Sequence, residues 1–237
     1  MNSQPELISY IALRRWVGVL GIALPWVLYI GFKILATDNC LQPASISHYY
    51  YTCMGNYFTG TLCAVGLFLY TYKGQDNDGR VMNFAAVCAL LVAFCATNAE
   101  KDFPSSCSVV NISINPIRNA IHYAAAGLLF STLAYISLVL FRKTGKHNSK
   151  PKPGEMKYKR NTVYKTCGIV IIVCIACIPL FTFTALGNTT WATALHLNTY
   201  IFEAIALQAF GISWLIKGNT LFKDKPIPPS SITNTQN

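Results

Sequence analysis

Six long apolar runs are the feature of this sequence that most restricts its fold. Each run is about 20 residues long, which is the length that a helix needs to cross the hydrocarbon core of a bilayer. The runs lie at 16–36, 55–72, 82–98, 120–141, 165–186 and 196–216. Because lipid offers no hydrogen-bond partners to the backbone, each run should be a helix. We therefore predict an all-α fold, a bundle of six transmembrane helices that forms one membrane domain over residues 1–225.

The composition agrees with a membrane protein and argues against a nucleic-acid partner. Only 12% of the residues are charged and 53% are hydrophobic, whereas about 25% of the residues in a soluble domain are charged. The net charge is +10, but nine of the 19 Lys and Arg residues lie between Arg142 and Lys165. Such a cluster between two apolar runs is typical of membrane topology signals. We expect membrane lipids as partners and no nucleic acid.

The positions of the basic residues predict the orientation of the chain. Lys and Arg occur before the first run, in the segments 73–81 and 142–164, and after the last run, but not in 37–54 or 187–195. The segment 99–119 has Lys101 and Arg118, which Glu100 and Asp102 offset. Loops rich in Lys and Arg stay on the cytoplasmic side. We therefore predict cytoplasmic termini, a basic cytoplasmic loop at 142–164 and a location in the cell inner membrane. The polar tail 226–237 is expected to be disordered.

Three of the four histidines fall at one end of the predicted bundle. His48, His122 and His196 lie at the outer ends of the second, fourth and sixth runs. Three imidazoles with an open fourth position are typical of a catalytic zinc site, where the metal lowers the pKa of a bound water. We therefore treat the three histidines as candidate zinc ligands. The alternative is that they are amphipathic side chains at the membrane interface, since no HxxxH or HExxH motif is present.

Several other polar residues lie at the same predicted end. Glu203 is placed inside the last run, where a carboxylate is costly and indicates a functional site. We consider Glu203, Asp102 and Ser47 as candidate catalytic residues, with a carboxylate as general base. Alternatively, Lys33 and Glu203 could form a structural ion pair or a charged gate. Further candidate lining residues are Asn56, Asn98, Glu100, Arg118 and Tyr200.

The segment SISHYYYT at 45–52 allows two interpretations. It could be an aromatic belt at the membrane interface with a serine that starts a helix. It could instead be a re-entrant or lid segment over the site. Three cysteines, Cys40, Cys53 and Cys107, fall in predicted outer segments. If that side is oxidising, one disulfide could form among them with one thiol left over, but the sequence does not decide whether it forms.

Several sequence runs resemble those of known membrane proteins. SISHYYYT, GNYFTGTLCAVGLFLYTYKG, the His-Tyr pair at 122–123 and EAIALQAFGISWLIKG resemble a group of small, mostly uncharacterised bacterial six-span membrane proteins. This resemblance covers nearly the whole chain and implies the fold but no activity.

A second similarity, in residue types alone, is to the alkaline-ceramidase-like (CREST) membrane hydrolases. Those enzymes use three His, an Asp and a Ser near one membrane face to bind zinc and cleave lipid amides. The matching residues here are His48, His122, His196, Asp102 and Ser47. The chain lacks the paired His on the last helix and has six predicted spans where that superfamily has seven.

Two functions follow as hypotheses. The first is a metal-assisted hydrolase or transferase that acts on a lipid or another amphiphile at the outer end of the bundle. The alternative is a non-catalytic protein that binds or transports a small molecule or lipid, with Lys33 and Glu203 as its gate. The first predicts bound zinc, and the second predicts a metal-free protein whose transport is sensitive to Glu203→Gln.

Overall fold

The computed structural model describes residues 5–36, 40–72, 78–98, 107–110, 112–143, 151–184, 189 and 198–218. These residues form six α-helices and no strand, which confirms the predicted all-α fold for the part of the chain described. The helices are α1 Pro5–Leu35, α2 Gly55–Tyr70, α3 Asp78–Phe94, α4 Pro116–Tyr135, α5 Met156–Phe183 and α6 Thr199–Lys217. A π-helical turn, Ile136–Leu140, extends α4, and a 3₁₀ helix, Ser47–Tyr51, precedes α2.

The six helices form a closed ring in chain order. Each helix packs against the next, α6 packs against α1, and α4 also contacts α6. Contacts between the ends show that neighbouring helices run in opposite directions. For example, Arg15 near the start of α1 bonds the carbonyl of Gly218, which follows α6. We call the end that contains His48 and His122 the histidine end, and the end that contains Arg14 and Arg15 the arginine end.

Within the described ranges, four helices are long and apolar enough to cross a membrane. They contain the segments Ile11–Leu35, Pro116–Leu140, Met156–Thr182 and Thr199–Lys217. Large apolar side chains remain exposed on the bundle surface, among them Trp26, Ile34 and Phe94. Exposed apolar side chains of this size suit a lipid environment. The helices α2 and α3 are shorter, with 16 and 17 residues.

Two helices extend well beyond the predicted apolar runs. The predicted runs 16–36 and 165–186 begin inside longer helices that start at Pro5 and Met156. The residues in front of each run include Arg, Lys, Leu and Met, which are good helix formers, so the helix continues where hydrophobicity ends. The last part of the predicted basic loop 142–164 is therefore helical. The tail 226–237 lies outside the described residues.

The chain bends sharply just before α2. A helix that started before Tyr50 would have placed His48 and Thr59 on one face, but Thr52 has extended backbone angles and α2 begins at Gly55. A Cβ atom on Gly55 would lie 2.4 Å from the carbonyl oxygen of Tyr50. Only glycine permits this close approach. The bend lets the 3₁₀ helix turn into the bundle.

The contact between α1 and α6 depends on small residues, as is common between membrane helices. A Cβ atom on Gly211 would lie 2.6 Å from the carbonyl oxygen of Gly18 and 2.5 Å from the Ile22 side chain. We expect Gly211→Ala to destabilise the fold by about 1–3 kcal/mol through overpacking. Thermal unfolding in detergent would measure this. Gly127→Ala in α4 is the matched control, because its Cβ would meet nothing within 4 Å; equal losses in the two variants would contradict the prediction.

Candidate functional site

The 3₁₀ helix Ser47–Tyr51 lies within the histidine end of the bundle. The side chains of Tyr49 and Tyr51 are 0% and 2% exposed. The Tyr51 hydroxyl donates to the carbonyl of Thr97, and the Tyr49 hydroxyl donates to Gln42. Burial raises the pKa of both phenols, so both stay protonated donors at neutral pH. The segment 45–52 therefore packs Tyr49 and Tyr51 into the interior of the bundle.

Hydrogen bonds fasten this inward segment to α6. The Ile46 N–H donates to Glu203 Oε2 at 2.6 Å. The Tyr200 N–H donates to the carbonyl of Ala44 at 2.8 Å, and the Tyr200 hydroxyl donates to the carbonyl of Pro25 in α1 at 2.6 Å. Glu203 is thus bound to the backbone of the residue that precedes Ser47.

Ser47 and His122 form a hydrogen-bonded pair. Ser47 Oγ lies 2.9 Å from His122 Nε2, and the carbonyl oxygen of Cys95 lies 2.7 Å from His122 Nδ1. A carbonyl can only accept, so Nδ1 carries the proton and Nε2 of the neutral imidazole accepts from the Ser47 hydroxyl. The two side chains are 8% and 1% exposed. This is the relation of a serine nucleophile to its general base.

The end of α3 fixes the orientation of the His122 ring. The last carbonyls of a helix have no N–H partner within the helix. Here α4 supplies the donors, since Arg118 Nε donates to the carbonyl of Ala96 at 2.9 Å and His122 donates to that of Cys95. Arg118 and His122 are one helical turn apart. The imidazole is therefore held by a rigid helix on each side.

A narrow cavity of about 40 Å³ adjoins this pair, and both Ser47 and Glu203 line it. Its other lining side chains are all apolar: Leu24, Ile46, Phe58, Leu62, Val92, Ala126, Leu129, Phe130, Leu133 and Leu207. A cavity of this volume has room for a few water-sized groups. Typical ligand pockets have volumes of about 300–1,000 Å³, so only a small group fits in this cavity beside Ser47.

Three other predicted site residues, Asn98, Asn56 and Lys33, lie near the histidine end but outside the Ser47–His122 pair. Asn98 accepts from the Asn115 N–H at 3.1 Å and, with Arg118, holds the connection between α3 and α4. Asn56 is exposed on α2, and Lys33 is exposed on α1. Lys33 and Glu203 are both described, and the structure does not join them in an ion pair. The carboxylate instead accepts from Ile46, so this geometry gives no support to a charged gate.

The predicted zinc site is described only in part. His48 follows Ser47 in the 3₁₀ helix and is half-buried. His196, Glu100 and Asp102 lie outside the described residues. Within the ranges that are described, no group of three or more His, Cys, Asp or Glu residues could hold a metal ion. The three-histidine zinc site therefore remains a prediction.

A disulfide joins Cys40 to Cys107 at the histidine end, and Cys53 remains a free, exposed thiol. The sequence left open whether any two of these three cysteines are bonded, and the structure pairs Cys40 with Cys107. The bond ties the segment after α1 to the segment before α4. It thus stabilises the path of the chain that leads into Ser47.

Glu203 accepts a hydrogen bond from the backbone of Ile46, the residue before Ser47. Two substitutions distinguish the contribution of its negative charge to stability from that of this hydrogen bond. Glu203→Gln keeps an oxygen that can accept from the Ile46 N–H, so we expect nearly wild-type stability. Glu203→Ala leaves that N–H without its acceptor and should cost about 1–3 kcal/mol. Thermal unfolding of the purified variants would measure both. A Gln variant as unstable as the Ala variant would show that the charge matters instead.

The sequence analysis identified Ser47, His122 and Glu203 as candidate site residues. It predicted His122 as a zinc ligand and did not predict its hydrogen bond to Ser47. The two residues are 75 positions apart, and the third partner is a backbone carbonyl, which has no sequence signal.

No protein-family model, curated protein or solved structure matches this chain.

Proposed function

We propose that the chain is a multi-pass membrane hydrolase or transferase that acts on an acyl group of an amphiphile, with Ser47 as nucleophile and His122 as general base. The hydrogen bond between Ser47 Oγ and His122 Nε2 carries this proposal. Ser47 Oγ attacks the carbonyl carbon while His122 takes the hydroxyl proton. His122 then gives that proton to the leaving alcohol or amine, and water or a second acceptor releases the acyl group from Ser47.

The surroundings of Ser47 support an apolar acyl group as the reacting part of the substrate. Ser47 Oγ stands beside a cavity whose lining is apolar apart from Ser47 and Glu203. The cavity of about 40 Å³ has room for about one or two methylene groups, whose burial is favourable by about 0.8 kcal/mol each, so the rest of an acyl chain would extend outside it. Glu203 is a positioning residue here, because it holds the Ile46 N–H and leaves the Ser47 side chain directed at His122.

In this proposal all six helices span the membrane and the histidine end faces outward. A disulfide persists in an oxidising compartment, and Cys40–Cys107 lies at this end. The arginine end carries Arg14, Arg15 and the basic residues of α5, which suits the cytoplasmic side. The helices α2 and α3 are short, but they lie in the same closed ring as the four long apolar helices. The substrate would then come from the outer leaflet.

A metal-assisted hydrolase is the second candidate. Histidines that bind zinc usually donate their other ring N–H to a carbonyl or carboxylate, and His122 Nδ1 does so to Cys95. In that case His122 Nε2 would bind zinc in place of the Ser47 hydroxyl, together with His48 and His196. This candidate requires about one zinc per purified chain and its loss in His122→Ala.

A fluorophosphonate probe tests the proposal directly. An activated serine displaces fluoride from phosphorus, so Ser47 Oγ would become phosphonylated, its proton would pass to His122 and fluoride would leave. We expect one label per chain in the detergent-purified protein, located at Ser47 by peptide mass spectrometry. Ser47→Ala should abolish it.

Ser45→Ala is the matched control for this experiment. Ser45 is 7% exposed, almost the same as Ser47, but its hydroxyl accepts from the His48 N–H instead of contacting His122. Labelling should therefore persist in Ser45→Ala. An unlabelled wild-type protein, or a label that persists in Ser47→Ala, would overturn the serine mechanism. Zinc bound in an unlabelled protein would favour the second candidate.

A further inference from the structure

A second cavity, with a mainly polar lining, lies at the arginine end, across the bundle from Ser47. Its volume is about 250 Å³. Five cationic side chains line it and come from three helices and the residues just after α4: Arg14, Lys143, Lys157, Arg160 and Lys217. Asn161 and Tyr164 of α5 add polar groups. Nothing in the Ser47 chemistry uses this cavity.

Two of these cations pack on aromatic rings. The Arg14 guanidinium lies 5.2 Å from the centroid of the Tyr72 ring, and the Lys217 ammonium lies 5.2 Å from that of the Phe141 ring. Such cation–π contacts stabilise a positive charge that is partly removed from water. The Nε atom of Arg14 is buried and has no hydrogen-bond partner among the described residues. A donor in this state is costly unless a ligand or water satisfies it.

Among the described residues that line this cavity there are five cations and no carboxylate. Lys143 forms an ion pair with Asp78, which is 7% exposed. Asp78 is not itself one of the lining residues, which bring five positive groups around one space. Like charges in a partly desolvated cavity repel each other more strongly than they do in water. An anion that enters the cavity would relieve that repulsion.

We propose that this cavity binds a phosphate-bearing anion. Arg offers a planar fork of N–H donors and Lys a point charge, and together they are the usual ligands of phosphate groups. The phosphate could belong to the headgroup of an anionic phospholipid in the adjacent leaflet or to a soluble phosphate. The inference rests on the convergence of cations at the arginine end and is independent of the proposed serine mechanism.

Two double variants on α5 test the site. Lys157→Gln with Arg160→Gln removes two cations that line the cavity, and Lys159→Gln with Lys165→Gln removes two exposed cations of the same helix. Both changes lower the net charge equally. We expect the first pair to raise the dissociation constant about tenfold or more and the second to raise it less than about twofold.

The probes are dioctanoyl-phosphatidylglycerol, inorganic phosphate and, as a phosphate-free control, dioctanoylglycerol. Each is titrated into the full-length protein in neutral detergent, and the thermal midpoint reports binding. Stabilisation by the phosphatidylglycerol alone would assign a lipid headgroup, and stabilisation by inorganic phosphate as well would assign a soluble phosphate. Dioctanoylglycerol should have no effect.

Two outcomes would overturn the proposal. One is that neither phosphate-bearing probe shifts the thermal midpoint of the wild-type protein. The other is that the two double variants lose binding to the same degree, which would indicate diffuse surface charge. Because the cavity variants remove repulsion, they should fold without ligand. If the double variant does not fold, Arg160→Gln against Lys165→Gln makes the same comparison.

Discussion

Ser47→Ala and His122→Gln should each lower the rate of acyl-ester hydrolysis by about a thousandfold or more. General base catalysis contributes about 10²–10⁴-fold, and loss of a serine nucleophile removes the covalent path altogether. Glutamine at position 122 can still hydrogen-bond the Ser47 hydroxyl or the Cys95 carbonyl, but it cannot take up the serine proton. The variant should therefore keep the fold and lose the chemistry.

Hydrolysis of p-nitrophenyl esters of increasing chain length by the detergent-purified protein would measure this effect. Ser45→Ala should keep its rate within about threefold of wild type, because Ser45 is as buried as Ser47 but does not contact His122. Thermal midpoints recorded in parallel separate lost chemistry from lost folding. A His122→Gln variant that is folded and hydrolyses esters within tenfold of wild type would remove His122 as the base.

Loss of the Cys40–Cys107 disulfide should cause the largest change in stability. The bond closes a loop with a sequence separation of 67 residues. For a loop of that length the chain-entropy treatment gives a stabilisation of about 4 kcal/mol. We expect Cys40→Ser with Cys107→Ser to lower the free energy of unfolding by about that amount. Labelling of Ser47 should fall as well, since the bond restrains the segment that leads into it.

Cys53→Ser is the control for this prediction, because Cys53 is a free and exposed thiol at the same end. Its effect should stay within about 0.5 kcal/mol, as is usual for surface changes. Dithiothreitol should lower the thermal midpoint of the wild-type protein to that of the double variant and leave the double variant unchanged. A double variant as stable as Cys53→Ser would show that the disulfide contributes nothing to the fold.

The helical fold could be predicted because the length and hydrophobicity of a run determine whether a helix can bury itself in lipid. The ends of the helices could not, because a helix continues through polar residues that form helices well. Lys157 and Arg160 precede the apolar run at 165–186, yet they lie on α5. Hydrophobicity indicates where lipid begins, whereas capping and bends decide where a helix begins.

The candidate site could be predicted as a set of residues but not as an arrangement. Helical spacing and alternation of the runs placed Ser47, His122 and Glu203 at one end. Their partners are backbone groups, the Cys95 carbonyl and the Ile46 N–H, which every residue carries and no motif marks. The inward bend at Gly55 depends on a close approach to the nearby Tyr50 carbonyl, which a glycine permits but does not by itself predict. The sequence therefore offered His122 a metal role or an interfacial role, but not the hydrogen bond to Ser47.

The covalent intermediate is the most direct test of the central claim that Ser47 is an acyl-accepting nucleophile in a membrane protein. The measurement is peptide mass spectrometry of the detergent-purified protein after acid quenching during turnover of a p-nitrophenyl acyl ester. We predict that the peptide containing Ser47 gains the mass of one acyl group, and that Ser47→Ala shows no acylated peptide. Continued hydrolysis without any acyl-enzyme, or with the acyl group on another residue, would contradict the account.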